Sequence, residues 1–242
     1  MKLLLISNST MAGEPYLQWP QGHISGFLKR HKIDKVCFVP YAGVNLSKKG
    51  PEASYDVYTQ RVAAVFQEMG ISVYSVHQAA DAAKAVSEAQ AVVVGGGNTF
   101  HLVAEMHKTG VMAVIREKAL SGMPYVGWSA GSNVACPTLM TTNDMPIIEP
   151  ASFKTLGLIP FQINPHYLDA NPAGHGGETR QQRIEEFLAV NRNTTVVGLR
   201  EGCLLYLEEN DLQLIGNRSM RLFRFDEPPR ELQPGDDLSF LL

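Results

Sequence analysis

A serine between two glycines is the first candidate for chemistry in this chain. Residues 127–131 read Gly-Trp-Ser-Ala-Gly, follow a short apolar run and precede one or two helical turns that end at Pro137. A serine on a sharp turn between a strand and a helix holds its hydroxyl beside the helix N-terminus, where the dipole favours developing negative charge. Ser129 is therefore a candidate nucleophile. The alternatives are a chance match and a serine that only caps the helix.

A serine nucleophile needs a base within hydrogen-bond reach, and seven histidines are available. His166 follows an apolar stretch and Pro165, which predicts a ring held on a stiff loop at the end of a strand. We therefore expect His166 to be the base. The alternative is that its ring only satisfies a buried carbonyl.

Two carboxylates compete for the role of orienting this histidine. Glu201 comes directly after an apolar strand, in the same kind of position as Ser129 and His166. Asp144 lies between the serine and the histidine in the chain, which is the Ser–Asp–His order of many hydrolases, although order does not define a triad. We favour Glu201, and expect Asp144 otherwise to bind a cationic part of the substrate or to line the pocket.

A glycine turn at residues 95–98, Gly-Gly-Gly-Asn, follows another apolar stretch. Backbone N–H groups in such a turn bind phosphate or stabilise an oxyanion. The dinucleotide fingerprint fails because its third glycine position, counted from Gly95, holds Phe100, and no phosphate-binding P-loop motif occurs. We expect an oxyanion hole made by the N–H groups of Gly97 and Ala130. The alternative is a turn that needs glycine only for its conformation.

The composition excludes several classes of protein. With 242 residues, 45% hydrophobic and 19% charged, the chain is predicted to form a single domain, 1–242. A net charge of −3 gives no case for binding nucleic acid or an anionic membrane, and no apolar run approaches the roughly 20 residues of a membrane span.

Cysteine and histidine usage favours a reducing compartment and no metal. Three scattered cysteines form neither a disulfide framework nor a metal site, so the cytoplasm is the expected location. His166 and His175 are separated by a loop, and no His-Glu-x-x-His motif occurs. We expect no metal and no cofactor.

Strands alternating with helices predict the elements that must position these groups. The predicted strands and helices of the first half are 2–7, 23–30 (helix), 35–40, 54–69 (helix), 71–76, 79–89 (helix), 91–94, 100–110 (helix), 111–120 (helix) and 124–126. The second half is predicted to contain a strand 156–164, a loop 169–177, a helix 178–190, a strand 194–199, a hairpin 203–207 and 212–215, an edge strand 220–225 and a surface tail 226–242.

This alternation indicates an α/β fold, with a doubly wound, mostly parallel sheet, flanking helices and a C-terminal antiparallel hairpin, as in flavodoxin-like proteins. Ligands of such sheets bind beyond the carboxyl ends of the strands. We therefore expect the glycine turn, Ser129, His166 and Glu201 to meet at one edge of the sheet.

Five motifs together resemble the S51 family of serine peptidases. They are GGGN at 95–98, GWSAG at 127–131, NPHY at 164–167, GGETRQQRIEEF at 176–187 and LREG at 199–202. The resemblance covers nearly the whole chain and implies one α/β domain similar to class I glutamine amidotransferases, with serine in place of their cysteine. It also implies hydrolysis of dipeptides that begin with L-aspartate, with neither metal nor cofactor.

Residue by residue, the resemblance implies Ser129 as nucleophile, His166 as base and the turn at Gly97 for the oxyanion. It leaves Asp144 and Glu201 both open as the third member. The reaction implied is attack by the serine on an Asp-Xaa peptide bond, followed by hydrolysis of the acyl-enzyme.

An aspartyl substrate needs a cationic partner in the protein. Arg180 is our candidate because arginine binds a carboxylate with two parallel hydrogen bonds. The alternative is that Arg180 lies on the helix surface and pairs with Glu185 or Glu186. Asn98 is a second candidate substrate contact. The expected partner is thus a small peptide. Other hypotheses are a cyanophycinase-like or general esterase or peptidase activity on the same scaffold, and a non-catalytic flavodoxin-like module that binds phosphate.

Overall fold

The computed structural model describes residues 1–171, 173–174 and 176–242, so Pro172 and His175 of the predicted loop 169–177 lie outside the described residues. The strands are β1 (Lys2–Ile6), β2 (Lys35–Val39), β3 (Ser72–Ser75), β4 (Val92–Val94), β5 (Tyr125–Trp128), β6 (Gln162–Tyr167), β7 (Val196–Arg200), β8 (Cys203–Glu208), β9 (Asp211–Gly216), β10 (Met220–Phe223) and β11 (Arg230–Leu232). The α-helices are α1 (Gln18–Arg30), α2 (Pro51–Glu68), α3 (Ala82–Ser87), α4 (Thr99–Lys108), α5 (Val111–Leu120), α6 (Ala130–Asn133) and α7 (Arg180–Val190).

The larger sheet has seven strands in the order β3-β2-β4-β5-β1-β8-β9. The first five of these pair in parallel, and β8 and β9 form an antiparallel hairpin that joins the sheet through β1. Strands such as β4, Val-Val-Val, are wholly buried, as expected when helices cover both faces of a parallel sheet. The predicted α/β fold, its mostly parallel sheet and the hairpin are confirmed.

A second sheet corrects the expectation of a single sheet edge. Strands β6 and β7, which lead to His166 and Glu201, pair in parallel with each other in a four-stranded sheet of order β11-β10-β7-β6. Strand β10 was predicted at an edge but lies between β7 and β11. The predicted surface tail forms β11 and buries Leu232, Leu238 and Leu241, because their apolar side chains complete the core beneath this sheet.

Both sheets contribute to one hydrophobic cluster. It includes Leu5 of β1, Ile163 of β6, Val197 of β7 and Leu222 of β10, all essentially inaccessible to solvent. Full burial of such a side chain contributes roughly 1.5–3 kcal/mol. The relative position of the two sheets is therefore held by a shared apolar interior.

Two helices begin where their sequences favour a start. Helix α2 begins at Pro51, and proline suits the first helical position because its missing N–H would be unpaired there in any case. Helix α7 begins after a capping box, in which the side chains of Thr179 and Gln182 accept from each other's backbone N–H. Helix α1 begins at Gln18, earlier than the start predicted at residue 23.

No helix within the described ranges has the length and apolar character needed to cross a bilayer. Within the same ranges, no group of three or more His, Cys, Asp or Glu side chains is arranged to hold a metal ion. Cys37, Cys136 and Cys203 are buried free thiols. Burial raises the pKa of Cys37 to about 11 and that of Cys136 to about 12, so both are protonated at neutral pH.

Candidate active site

Ser129 occupies a strained turn between β5 and α6. Its backbone angles, φ 53° and ψ −113°, are unfavourable for a residue with a side chain. Its N–H donates to the carbonyl of Ile6 (2.9 Å), and its own carbonyl accepts from the N–H of Asn133 (3.0 Å). These bonds fix the backbone on both sides of the serine and so offset the strain.

Glycines allow neighbouring turns to approach Ser129 closely. A Cβ on Gly131 would lie 2.1 Å from the carbonyl oxygen of Val94, and one on Gly127 would lie 2.3 Å from that of Gly131. A Cβ on Gly96 would lie 2.8 Å from the Cβ of Ser129. The glycines of both motifs are therefore required by packing, and they bring the turn after β4 against the serine.

His166 lies within β6, not on a loop after it as predicted. It has a positive φ of 52° at an irregularity in the pairing with β7, between Pro165 and Tyr167. Its N–H donates to Oγ of Ser7 (3.0 Å), which itself donates to the carbonyl of Leu199 (2.7 Å). The buried Ser7 hydroxyl thus ties the end of β1 to both strands of the second sheet, a role that the sequence analysis missed.

Ser129, His166 and Glu201 form a continuous hydrogen-bonded chain. Nε2 of His166 is 2.9 Å from Oγ of Ser129, and Nδ1 is 2.7 Å from Oε1 of Glu201. Because the carboxylate accepts from Nδ1–H, Nε2 is left to accept the serine hydroxyl proton. The His166 and Glu201 side chains are each 39% exposed, so substrate and water can reach them.

Asp144 is hydrogen-bonded elsewhere. Its Oδ2 accepts from the N–H (2.8 Å) and hydroxyl (2.6 Å) of Thr99 and from the hydroxyl of Thr142 (3.0 Å). Its hydrogen bonds to described residues do not include one to His166. The carboxylate therefore lies at the N-terminus of α4, where the helix dipole stabilises a negative charge.

Two backbone donors beside Ser129 have no partner among the residues the structure describes: the N–H groups of Gly97 and Ala130. Gly97 has a φ of 136°, and a Cβ there would lie 2.2 Å from the carbonyl oxygen of Ala42, so this position requires glycine. Unpaired N–H groups next to a serine hydroxyl are available to an oxyanion.

A cavity of about 430 Å³ opens beside Ser129 and His166, a volume typical of small-molecule sites. Asn98 lines this cavity, as its prediction as a substrate contact requires. Its side chain also caps α4 by accepting from the N–H of His101 (3.0 Å) and donates to the carbonyl of Met145 (2.8 Å). Asn98 therefore already has structural partners on both side-chain atoms.

One wall of this cavity was missed by the sequence analysis, which treated Tyr58 only as an apolar position of a helix. The Tyr58 hydroxyl donates to the carbonyl of Gly96 (2.9 Å) and accepts from Nε1 of Trp128 (3.0 Å). Arg61 of the same helix lines the cavity, with Cζ 5.6 Å from the ring centre of Tyr16. The signal that could have found this wall is the spacing of Tyr58 and Arg61, which places both on one helix face.

Arg180 lies in a neighbouring cavity of about 160 Å³, which it shares with Asp144. Burial lowers the pKa of its guanidinium, the nearby Arg183 cation lowers it further, and Asp144 opposes both effects. The smaller cavity is linked to the strand that bears His166. Asn143 lines this cavity and donates to the carbonyl of Pro165 (2.7 Å), the residue before His166.

A serine hydroxyl on a strained strand–helix turn, bonded to a histidine that is bonded to a carboxylate, is typical of serine hydrolases built on α/β folds. Comparison with known proteins agrees with this class. The model of peptidase family S51 matches residues 3–215. Peptidase E of Nostoc sp. is 48% identical over 241 residues, covering 100% of this chain and 96% of the relative. Peptidase E of Streptomyces coelicolor is 48% identical over 243 residues, covering 100% and 95%.

Solved structures show the same fold at low sequence identity. A peptidase from an acI-B1 actinobacterium superimposes with a TM-score of 0.70 at 16% identity, covering 97% of this chain and 95% of that one. A peptidase E candidate from Listeria monocytogenes gives a TM-score of 0.66 at 18% identity, covering 89% and 98%.

The chain belongs to peptidase family S51, which confirms the resemblance found in its motifs. It is therefore an enzyme, and the full-length agreement with the relatives supports a serine-type dipeptidase function.

Proposed function

We propose that this peptidase hydrolyses dipeptides with an N-terminal L-aspartate through an acyl-enzyme on Ser129. The observation that carries the proposal is the chain of hydrogen bonds from the Ser129 hydroxyl through the His166 ring to the Glu201 carboxylate, at 2.9 and 2.7 Å. Relatives named peptidase E over the full length of the chain support the same substrate class.

The mechanism follows from these positions. Oγ of Ser129 attacks the peptide carbonyl while Nε2 of His166 takes the hydroxyl proton, and the imidazolium then protonates the leaving amine. The N–H groups of Gly97 and Ala130 bind the oxyanion. Water, activated by the same ring, hydrolyses the acyl-enzyme and regenerates the serine.

Glu201 is proposed to hold His166 in the required tautomer and to stabilise the imidazolium. The 2.7 Å contact with Nδ1 supports this role, whereas Asp144 already accepts three hydrogen bonds from Thr99 and Thr142. Asp144 is proposed instead to act on the substrate side of the reaction.

An N-terminal aspartyl residue carries a carboxylate and an ammonium group on adjacent carbons, so its site needs a cation and an anion close together. Arg180 and Asp144 supply this pair in one cavity. Arg180 is proposed to bind the aspartyl carboxylate and Asp144 the ammonium group. Asn98, at the border of the larger cavity, is proposed to contact the same residue.

The test is to combine covalent labelling with a substrate panel. Labelling with a fluorophosphonate is expected to modify the wild-type protein at Ser129 and to leave Ser129→Ala unmodified, and kcat for aspartyl-leucine should fall about 10⁶-fold in that variant. Ser87→Ala is the matched control, because the Ser87 hydroxyl is exposed and bonds only the carbonyl of Lys84 within the described residues.

The panel compares peptides that begin with aspartate, glutamate, asparagine and β-aspartate. Preference for the α-aspartyl peptide supports the proposal. Preference for the β-aspartyl peptide or equal cleavage of all four favours the cyanophycinase-like or general activity. Absence of labelling favours a non-catalytic phosphate-binding module.

We also propose a cytoplasmic location, since the three buried cysteines are unpaired.

A further inference from the structure

Arg61 is a cation in the Ser129 cavity that the proposed reaction has not used. It lies on α2, one turn beyond Tyr58, whose hydroxyl holds the glycine turn at Gly96. Among the described residues, the guanidinium of Arg61 forms no ion pair with a carboxylate. An arginine that lines a cavity without a carboxylate partner is available to an anionic group of the ligand.

The surroundings of Arg61 favour an anion over a cation. The described side chains that line the cavity include Arg61 and His166 and no Asp or Glu. The hydroxyls of Tyr16 and Tyr58 are close enough to Arg61 for its charge to affect their pKa. Burial raises the pKa of both phenols, although the Arg61 charge opposes that shift, so neither phenol adds a negative charge to the cavity.

The Arg61 head is also held in place. Its Cζ lies 5.6 Å from the ring centre of Tyr16, within the range of a cation–π contact, and Tyr16 is linked to Tyr58 through their hydroxyls (3.3 Å). A guanidinium stacked in this way loses less side-chain entropy when it binds a carboxylate.

The charges of the substrate indicate which of its two carboxylates Arg61 would bind. An Asp-Xaa dipeptide carries two carboxylates and one ammonium group, and the cavity of Arg180 and Asp144 matches the pair of opposite charges on the aspartyl residue. The remaining carboxylate is the C-terminal one of Xaa. Only the peptide nitrogen and the α-carbon separate it from the scissile carbonyl, so a cation that lines the cavity of Ser129, as Arg61 does, can reach it.

We propose that Arg61 binds the C-terminal carboxylate of the leaving residue and thereby makes the enzyme selective for dipeptides. The inference rests on the proposed function and adds that Arg61 discriminates between dipeptides and longer peptides. In a longer peptide or a C-terminal amide, this position carries a neutral amide, which leaves the cation unpaired.

The test compares aspartyl-leucine with aspartyl-leucine amide, which differs in charge but hardly in size. The wild-type enzyme should prefer the free acid, and Arg61→Met should raise KM for the free acid about tenfold while changing kcat and the amide reaction less than about twofold, as expected for one charge-assisted hydrogen bond in an exposed site. Arg61→Lys should retain part of the preference, because it keeps the charge without the planar fork. Arg192→Met, which removes an exposed arginine that stacks on Phe225, is the matched control.

A third substrate, asparaginyl-leucine, assigns the two arginines separately. Arg180→Met should reduce the preference for aspartyl over asparaginyl substrates and leave the acid-to-amide ratio unchanged, and Arg61→Met should do the reverse. If Arg61→Met changes the aspartyl preference instead, or lowers both ratios equally, the assignment is overturned.

Calorimetry with the Ser129→Ala variant measures the binding of both substrates without turnover. A tighter Kd for the free acid than for the amide, abolished by adding Arg61→Met, supports the proposal, and equal Kd values reject it. If the wild-type enzyme cleaves no aspartyl peptide, the proposed function fails, and the calorimetric comparison still decides whether Arg61 recognises a C-terminal carboxylate.

Discussion

The two halves of the Ser129–His166 pair are held in place by different means. Ser129 comes from the seven-stranded sheet, where glycines without room for a side chain fix the backbone around it. His166 and Glu201 come from the four-stranded sheet, where side chains such as Ser7 and Asn143 donate to or accept from the backbone beside the histidine. Both Ser129 and His166 nevertheless have positive φ angles, of 53° and 52°.

The difference teaches which kind of change each half tolerates. Where backbone touches backbone, an added methyl group has nowhere to go and the cost falls on folding. Where a side-chain hydrogen bond sets a ring orientation, its loss leaves the fold intact and the cost falls on the reaction. Substitutions at the glycines around Ser129 should therefore lower the free energy of unfolding, and substitutions that remove a hydrogen bond of the His166 ring should lower kcat.

Among changes that leave the Ser129 hydroxyl in place, the largest effect on the reaction is expected in the histidine half. Glu201→Gln should lower kcat for an aspartyl dipeptide about 10⁴-fold, because an amide no longer stabilises the imidazolium or selects its tautomer. Asp144→Asn is the matched change, and should lower kcat less than about tenfold while raising KM. Steady-state kinetics, with circular dichroism to check folding, measures both. A greater loss of kcat in Asp144→Asn than in Glu201→Gln would assign the orienting role to Asp144.

The serine half should instead lose stability. Gly131→Ala is expected to lower the free energy of unfolding by about 3 kcal/mol, since its Cβ would lie 2.1 Å from the carbonyl oxygen of Val94. Urea denaturation measures this change. Gly26→Ala in α1 is the control, because that Cβ would meet nothing within 4 Å and alanine favours a helix by about 0.5–1 kcal/mol. Similar unfolding free energies for the two variants would contradict the close approach.

The smallest effect concerns the link between the two motifs of the serine half. Tyr58→Phe removes the hydroxyl that joins Gly96 to Trp128, and should lower kcat about tenfold with little change in KM, because the glycine turn loses one hydrogen bond. Tyr16→Phe removes only a longer contact of 3.3 Å and should change kcat less than about twofold. An increase in KM with unchanged kcat in Tyr58→Phe would make Tyr58 a binding residue rather than a positioning one.

Much of the parallel sheet could be predicted, since its strands are short apolar runs separated by amphipathic helices. The second sheet could not, because β7 pairs with β10 and β10 with β11 through segments whose apolar pattern is equally compatible with a surface tail. His166 was expected on a loop for the same reason: an irregularity within a strand depends on its partner strand.

The local turns of the candidate site could be predicted from the sequence, and the roles of its residues stay predictions. The glycine turn and the serine turn are short motifs, at residues 95–98 and 127–131. Their glycines lie where other atoms leave no room for a side chain, so the glycine pattern in the sequence already indicated both turns. The choice between Glu201 and Asp144 had no local signal, since both are carboxylates in plausible positions. Arg61 was missed because an exposed arginine on an amphipathic helix is ordinary until the helix is seen to line a cavity.

The sequence by itself determined the chemical groups and the local turns that present them: a hydroxyl at a strand–helix junction, an imidazole, two carboxylates and free N–H groups. Only the tertiary structure decided which of these groups meet. His166 is 37 residues from Ser129 and 35 from Glu201, and the three are joined by the packing of two sheets on one core. Hydrogen bonds act over a few ångströms in space, whereas a motif records only neighbours along the chain.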